Sequence, residues 1–332
     1  MPRPTYSLVV PIYNEEAVLP LLLRRLDRLA DEVDGPMEII LVDDGSRDSG
    51  SIVLEARAKS DRRYRYIALS RNFGHQIAIS TGLDAARGDA VIVIDADLQD
   101  PPELVHLLIE QWKAGFQIVS AQRRSRDGES RFKTMSAALF YRVLSRLASV
   151  EIPRNVGDCR LIDRKALLSF RSMRERERFV RGMMAWLGFR HAIVSYDREQ
   201  RAAGDSKYSL AKMVRLAVDG LVSFSEAPLR WALWLGSAVS GVAILYGLYA
   251  IALWFVHGEG LVPGWSSTIV AVAFVGGANL LMTGIMGLYV GRIYSEVKGR
   301  PLYVIDRMVG FDAEVTAQSL PVEHAAMPFA GR

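Results

Sequence analysis

From Trp231 to Gly291 the chain carries no Asp, Lys or Arg, and its one Glu is Glu259. A stretch of that length without charge must be hidden from water. It divides into two apolar runs, 231–256 and 261–291, joined by His257-Gly258-Glu259-Gly260. At about 1.5 Å of rise per residue, each exceeds the roughly 30 Å of a bilayer's hydrocarbon core. The pattern predicts two transmembrane helices, about 231–256 and 266–291, the second beginning after the Pro263-Gly264 break. Core helices of soluble domains seldom run so far without a charge. Lys207, Lys212, Arg215 and Arg230 precede the pair, and Arg292, Lys298, Arg300 and Arg307 follow it, with no Lys or Arg between. Positive flanks on both sides predict that both are cytoplasmic. Gly284, Gly287 and Gly291 form a small-residue stripe suited to close helix approach, within the hairpin or between two copies in a homo-oligomer.

The preceding part of the 332-residue chain reads as a soluble α/β domain. The spacing predicts strands at 7–12, 37–42, 64–69, 91–94 and 117–121. Helices are predicted between them at 15–29, 51–58, 76–86 and 102–114. Strands separated by helices of this length imply right-handed crossovers and a mostly parallel, Rossmann-like sheet. Ligands of such sheets bind beyond the carboxyl ends of the strands. Three of those ends carry polar clusters: Pro11-Ile12-Tyr13-Asn14-Glu15, Asp43-Asp44-Gly45-Ser46 and Asp95-Ala96-Asp97-Leu98-Gln99. Each alone suits a helix cap or a turn. Together on one sheet edge they predict a nucleotide-diphosphate site, with paired carboxylates for a hard divalent ion.

Other classes are disfavoured. G-x-G-x-x-G does not follow the first strand, and G-x-x-x-x-G-K-[ST] is absent, so neither a dinucleotide dehydrogenase nor a P-loop NTPase is indicated. Net charge is +4, too small an excess to argue for nucleic acid. The single cysteine, Cys159, excludes an internal disulfide and suits a reducing compartment. The N-terminus lacks the layout of a signal peptide.

The three strand-end clusters, with Arg71-Asn72-Phe73-Gly74-His75-Gln76 and Gly291-Arg292-Ile293-Tyr294, resemble family 2 glycosyltransferases of the GT-A fold. Within that family they are similar to bacterial polyprenyl-phosphate glycosyltransferases, relatives of dolichol-phosphate mannose synthase. The resemblance implies a domain at 1–205, a juxtamembrane amphipathic helix at 206–228, the membrane hairpin at 229–293 and a cytoplasmic tail at 294–332. It implies sugar transfer, with inversion, from a nucleotide-sugar to undecaprenyl phosphate at the inner face of the bacterial cytoplasmic membrane. UDP-glucose is the donor this resemblance favours.

By the same resemblance, Pro11, Tyr13, Glu15 and Asp43 line the base and ribose pocket, and Gln99 lies near the sugar or phosphates. Asp97 coordinates Mg²⁺ or Mn²⁺, while Asp95 holds the ribose or joins the metal site. Lys207 belongs to a segment closing over the diphosphate. Asp158, in Asn155-Val156-Gly157-Asp158-Cys159-Arg160, is the acceptor-side carboxylate, either a general base or an orienting group. Among the basic residues after the fifth strand, Arg126 and Arg131, with Arg123, are the expected ligands of the lipid phosphate. His75 and His191 are read as structural, and the arginines of 171–181 as surface partners of Glu175 and Glu177. A processive polysaccharide synthase would share the donor site but needs a Q-x-x-R-W motif, absent here. A catalytically silent nucleotide-binding scaffold is argued against by the intact Asp95, Asp97 and Asp158.

Overall fold

A computed structural model describes residues 3–123, 156–176, 178–196, 227–257 and 265–311. The chain divides into two units. One comprises Met1–Met135, Val150–Lys207 and Arg300–Arg332, the other Ser136–Ser149 and Tyr208–Gly299.

In the first unit strands and helices alternate as β1 (Tyr6–Ile12), α1 (Leu19–Glu32), β2 (Met37–Asp43), α2 (Gly50–Ser60), β3 (Tyr64–Leu69), α3 (His75–Ala85), β4 (Ala90–Val93), α4 (Leu104–Lys113) and β5 (Ile118–Arg123). The described chain resumes with β6 (Val156–Asp163), α5 (Arg164–Ser172), α6 (Val180–Trp186) and β7 (His191–Tyr196). In the second unit lie α7 (Ala227–His257) and α8 (Trp265–Val297), after which β8 (Ile305–Val309) returns to the first.

The strands form one sheet in the order β7-β5-β6-β4-β1-β2-β3-β8. β1 is parallel to β2 and β4, β2 to β3, and β5 to β7. The central strands are apolar on both faces because helices cover both. Leu8, Val10, Ile39 and Leu41 pack with Leu22 and Leu26 of α1 and Val105 and Leu108 of α4. The alternate residues Val9, Ile40 and Val42 pack with Ile79 and Leu83 of α3 and Phe170 of α5. In α1 the buried Leu19, Leu22, Leu26 and Leu29 make one apolar stripe at helical spacing. Pro20 stands in its first turn, where a missing N–H costs nothing.

Two features depart from the sequence expectation. β5 does not extend the parallel array. β6 lies between it and β4, antiparallel to both. Its apolar period is broken by Asp158 and Arg160, both buried, so it carries no ordinary strand signal. At the other edge, residues expected in a tail supply β8, antiparallel to β3. Tyr303 is buried there and donates to Asp84 Oδ2 at 2.9 Å, while Arg65 Nη1 donates to the Gly310 carbonyl at 2.8 Å.

In the second unit α8 contains a stretch, Val270–Val297, long and apolar enough to cross a membrane, with mean hydropathy 1.7 over an 18-residue window. Among the described residues α7 holds a shorter apolar segment, Gly236–Tyr249. Gly236 of α7 lies against the side chain of Met282 of α8: a Cβ there would stand 2.9 Å from Met282 Cε.

Candidate active site

The ends of β1, β2 and β4 lie side by side on one sheet edge, and each leads into one of the polar clusters. At the end of β1, Pro11 sits beside Val42 in register, and Tyr13 is exposed. Asn14 takes a left-handed conformation, φ 54°. Its N–H donates to Ser46 Oγ at 3.0 Å and its Oδ1 accepts from Arg47 N at 2.8 Å, which joins the first cluster to the second. The Glu15 carbonyl accepts from Val18 N and Leu19 N and starts α1. Asp43, the last residue of β2, is buried and accepts from Ser46 N at 2.8 Å and Tyr66 Oη at 2.9 Å.

Asp44 has a separate task that the sequence did not show. Its carboxylate accepts from Phe73 N at 2.7 Å and Gly74 N at 2.9 Å. Gly45, at φ +69°, lies against the backbone of Arg71 and Asn72. Asp44 and Gly45 therefore hold the 71–74 loop that opens α3, the helix bearing His75 and Gln76.

Beyond β4, Asp95 and Asp97 form the paired carboxylates. Asp97 Oδ1 accepts from Gln99 N at 3.1 Å, in a turn where Leu98 takes φ 56°. Asp95 Oδ1 is buried with no hydrogen-bond partner, and His75 Nε2 stands 3.4 Å away. Burial pushes the Asp95 carboxyl up to about 6; the charge on His75 opposes this, and those on Asp158, Asp100 and Asp97 add to it. A divalent cation fits this position. A buried carboxylate oxygen without a partner is costly until something positive meets it. Oxygen donors are the set a hard cation takes, and Mg²⁺ commonly uses one or two carboxylates with substrate phosphates completing its shell. Among the described residues no cluster of three or more such ligands stands together.

Asp158 comes to the same place from β6. Val93 of β4 pairs with Arg160 of the antiparallel β6; Asp95 lies two residues after Val93 and Asp158 two before Arg160, and His75 Nε2 stands 3.4 Å from the first carboxylate and 3.3 Å from the second. Arg181 of α6 grips Asp158 through Nε at 2.9 Å and Nη2 at 3.1 Å. Gln76 Nε2 donates to its Oδ2 at 3.2 Å, and His75 Nε2 lies at 3.3 Å. Gln76 Oε1 in turn accepts from Val180 N at 3.0 Å, joining α3 to the start of α6. Burial alone would raise the Asp158 carboxyl. Hydrogen bonds from His75 and Arg181 and the charges of Arg181 and Arg160 outweigh it and hold the group well below the usual carboxylate range. Arg181, read from sequence as a surface residue, is thus a site residue, and His75 stands between the two carboxylates. No spacing rule could have found either, because the contacts join different elements, Arg181 reaching Asp158 across 23 residues and Gln76 across 82. His191 donates to or accepts from Ser120 Oγ at 2.8 Å, away from these groups, as a structural histidine would.

Arg123, at the end of β5, meets Asp100 and Tyr196. Arg126, Arg131 and Lys207 lie outside the described residues.

Residues 7–170 match the model of "Glycosyl transferase family 2". A protein named uncharacterized glycosyltransferase YkcC, from Bacillus subtilis, is 44% identical over 307 residues, covering 92% of this chain and 95% of its own. The chain belongs to glycosyl transferase family 2. Another relative, the bactoprenol glucosyl transferase of Shigella phage SfII, is 39% identical over 301 residues, 91% of this chain and 97% of its own. Among solved structures, glucosyl-3-phosphoglycerate synthase from Mycobacterium tuberculosis is similar at 24% identity with a TM-score of 0.45, over 67% of this chain and 79% of that one. This family 2 member is a glycosyltransferase, and its first unit has the GT-A-like α/β fold with a mostly parallel sheet.

Proposed function

We propose that this glycosyltransferase transfers glucose from UDP-glucose to a polyprenyl phosphate, undecaprenyl phosphate, at the cytoplasmic face of the inner membrane. The observation that carries the reading is the meeting of Asp95 and Asp158 on either side of His75 at the ends of β4 and β6, taken here as donor-side and acceptor-side groups. The names of relatives that match over nine tenths of the chain support glucose and a polyprenol. The uncharged 231–291 region supports an acceptor in the membrane.

Donor binding falls to the clusters at the ends of β1 and β2, with Pro11, Tyr13, Glu15 and Asp43 around the base and ribose and Gln99 near the diphosphate. Asp97 and Asp95 would hold Mg²⁺ or Mn²⁺. A divalent ion bound there would neutralise charge on the departing diphosphate. One phosphate oxygen of the lipid attacks C1 of glucose. The bond from C1 to the UDP oxygen breaks and its electron pair leaves with UDP, so the anomeric configuration inverts. A phosphate monoester has a second pKa of about 6, so at pH 7 most of the nucleophile is already dianionic. Little proton removal is needed. Asp158, held as an anion by Arg181 and Gln76, fits the role of orienting group better than that of base. Arg123, Arg126, Arg131 and Lys207 would balance the charge of the donor diphosphate and the lipid phosphate brought together.

The test is transfer of labelled glucose from UDP-glucose to undecaprenyl phosphate by the full-length chain in detergent. A lipid-linked product is expected, lost with Asp97→Ala and with EDTA and restored by Mn²⁺. Absence of a lipid-linked product with every nucleotide-sugar tried would falsify the reading.

A further inference from the structure

Asp100 follows the paired carboxylates and is almost wholly buried, at 1% exposure. A carboxylate in that setting needs donors or a cation. It has both. Tyr196 Oη donates to Asp100 Oδ1, and Arg123 Nη2 lies 3.4 Å from the same oxygen and 3.5 Å from Oδ2. The tyrosine oxygen also accepts from Arg123 Nε at 3.2 Å, which closes a three-membered ring of side chains. The members come from the Asp95–Asp97 loop, the end of β5 and the end of β7, and Arg123 and Tyr196 are register partners. The ring uses Nε and Nη2, one edge of the guanidinium; Nη1 takes no part, and the side chain keeps 31% exposure. Gly157, the neighbour of Asp158, leaves room for the fork: a Cβ there would stand 3.3 Å from Arg123 Nη2 and 3.5 Å from Asp100 Oδ2.

We propose that Asp100 and Tyr196 are positioning residues that orient Arg123 for the acceptor's phosphate, an inference that rests on the lipid-phosphate role of Arg123 proposed above. An arginine held on one edge by a carboxylate and a phenol loses little further side-chain freedom when its other edge meets a phosphate. Arg123 stands beside Gly157, so the oriented cation lies one residue from the carboxylate assigned to the acceptor.

The test is equilibrium binding of undecaprenyl phosphate, and separately of UDP with Mn²⁺, to the full-length chain in detergent. Tyr196→Phe keeps the aromatic side chain and removes its hydroxyl, which opens the three-membered ring. It is expected to weaken lipid-phosphate binding about fivefold, as Arg123 loses its tether, with UDP binding within about twofold. In an Arg123→Ala background the same change is expected to do nothing more, because the residue it positions is gone. Asp100→Asn is expected to give the same selective loss. Unchanged binding in Tyr196→Phe, an equal loss in both backgrounds, a matching loss of UDP binding, or no lipid-phosphate binding by the unsubstituted chain would each overturn the proposal. The binding pattern without any glucose transfer would sustain it and overturn the transfer reading instead.

Discussion

Asp158 is a carboxylate whose partners decide its chemistry. Its folded pKa is depressed, so its stabilising pairs are complete above the ordinary carboxylate value of about 3.9 and are lost only as pH falls below it. Between pH 5 and 9 it stays ionised. The pH–rate profile should therefore rise through about pH 6 with the second ionisation of the lipid phosphate and with Asp95, not with Asp158. Asp158→Asn is expected to lower the rate at least tenfold without abolishing that limb, as lost orientation would. A limb that vanishes in the variant would restore the general-base role. Gly45 makes a steric demand of the same local kind. Its φ of +69° disfavours any side chain, and a Cβ would fall 2.5 Å from the Arg71 carbonyl carbon and 2.7 Å from Asn72 N. Gly45→Ala is expected to cost at least about 2 kcal/mol and to lower the melting temperature by about 4–8 °C. Calorimetry with and without UDP checks this, and the ligand-induced rise should shrink as the 71–74 loop shifts.

At the scale of elements, the last described segment changes how the domain is closed. β8 covers the edge of β3, and Arg307 pairs with Glu55 of α2. Tyr303 and Arg174 share the buried Asp84, the arginine at 2.9 Å and 3.1 Å. A strand edge left bare is a template for aggregation. Ending the chain before Arg300 is therefore expected to give an aggregating protein, seen by size-exclusion chromatography. Tyr303→Phe, which removes one hydrogen bond to a buried carboxylate and no packing, is expected to cost only about 1–2 kcal/mol. Its melting temperature should fall by about 2–8 °C, with the protein still monodisperse. Equal behaviour of the two changes would show that β8 does not protect the edge. β6 is the other element that matters, since without its antiparallel insertion Asp158 would not face Asp95.

For the whole molecule, the proposed topology of two crossings with cytoplasmic flanks has a direct test. Cys159 is the only cysteine and is 0% exposed, so an introduced thiol would be the one labelled. With Glu259→Cys, a membrane-impermeant maleimide is expected to react in intact cells. With Ser319→Cys it should react only after permeabilisation. Labelling of neither site, or of both, in intact cells would reject a hairpin with cytoplasmic flanks. The burden on α7 is the greater, because its apolar segment Gly236–Tyr249 is shorter than the stretch in α8.

Local rules were enough to read some of this from the chain. Periodicity and breaker residues mark β1 to β5 and the helices between them, and the polar strand-end clusters can be picked out as well, because each is a short-range pattern. The charge-free region is legible for the same reason: the cost of wetting it does not depend on what it packs against. The tertiary structure alone decided what depends on distant segments meeting. It set β6 against β4, brought Arg181 and Gln76 onto Asp158, returned Tyr303 to Asp84, and closed Asp100, Arg123 and Tyr196 into a ring. In each case a charge or polar group is buried because a partner many residues away satisfies it. A pattern read along the chain lacks that partner, which is why Arg181 reads as a surface residue.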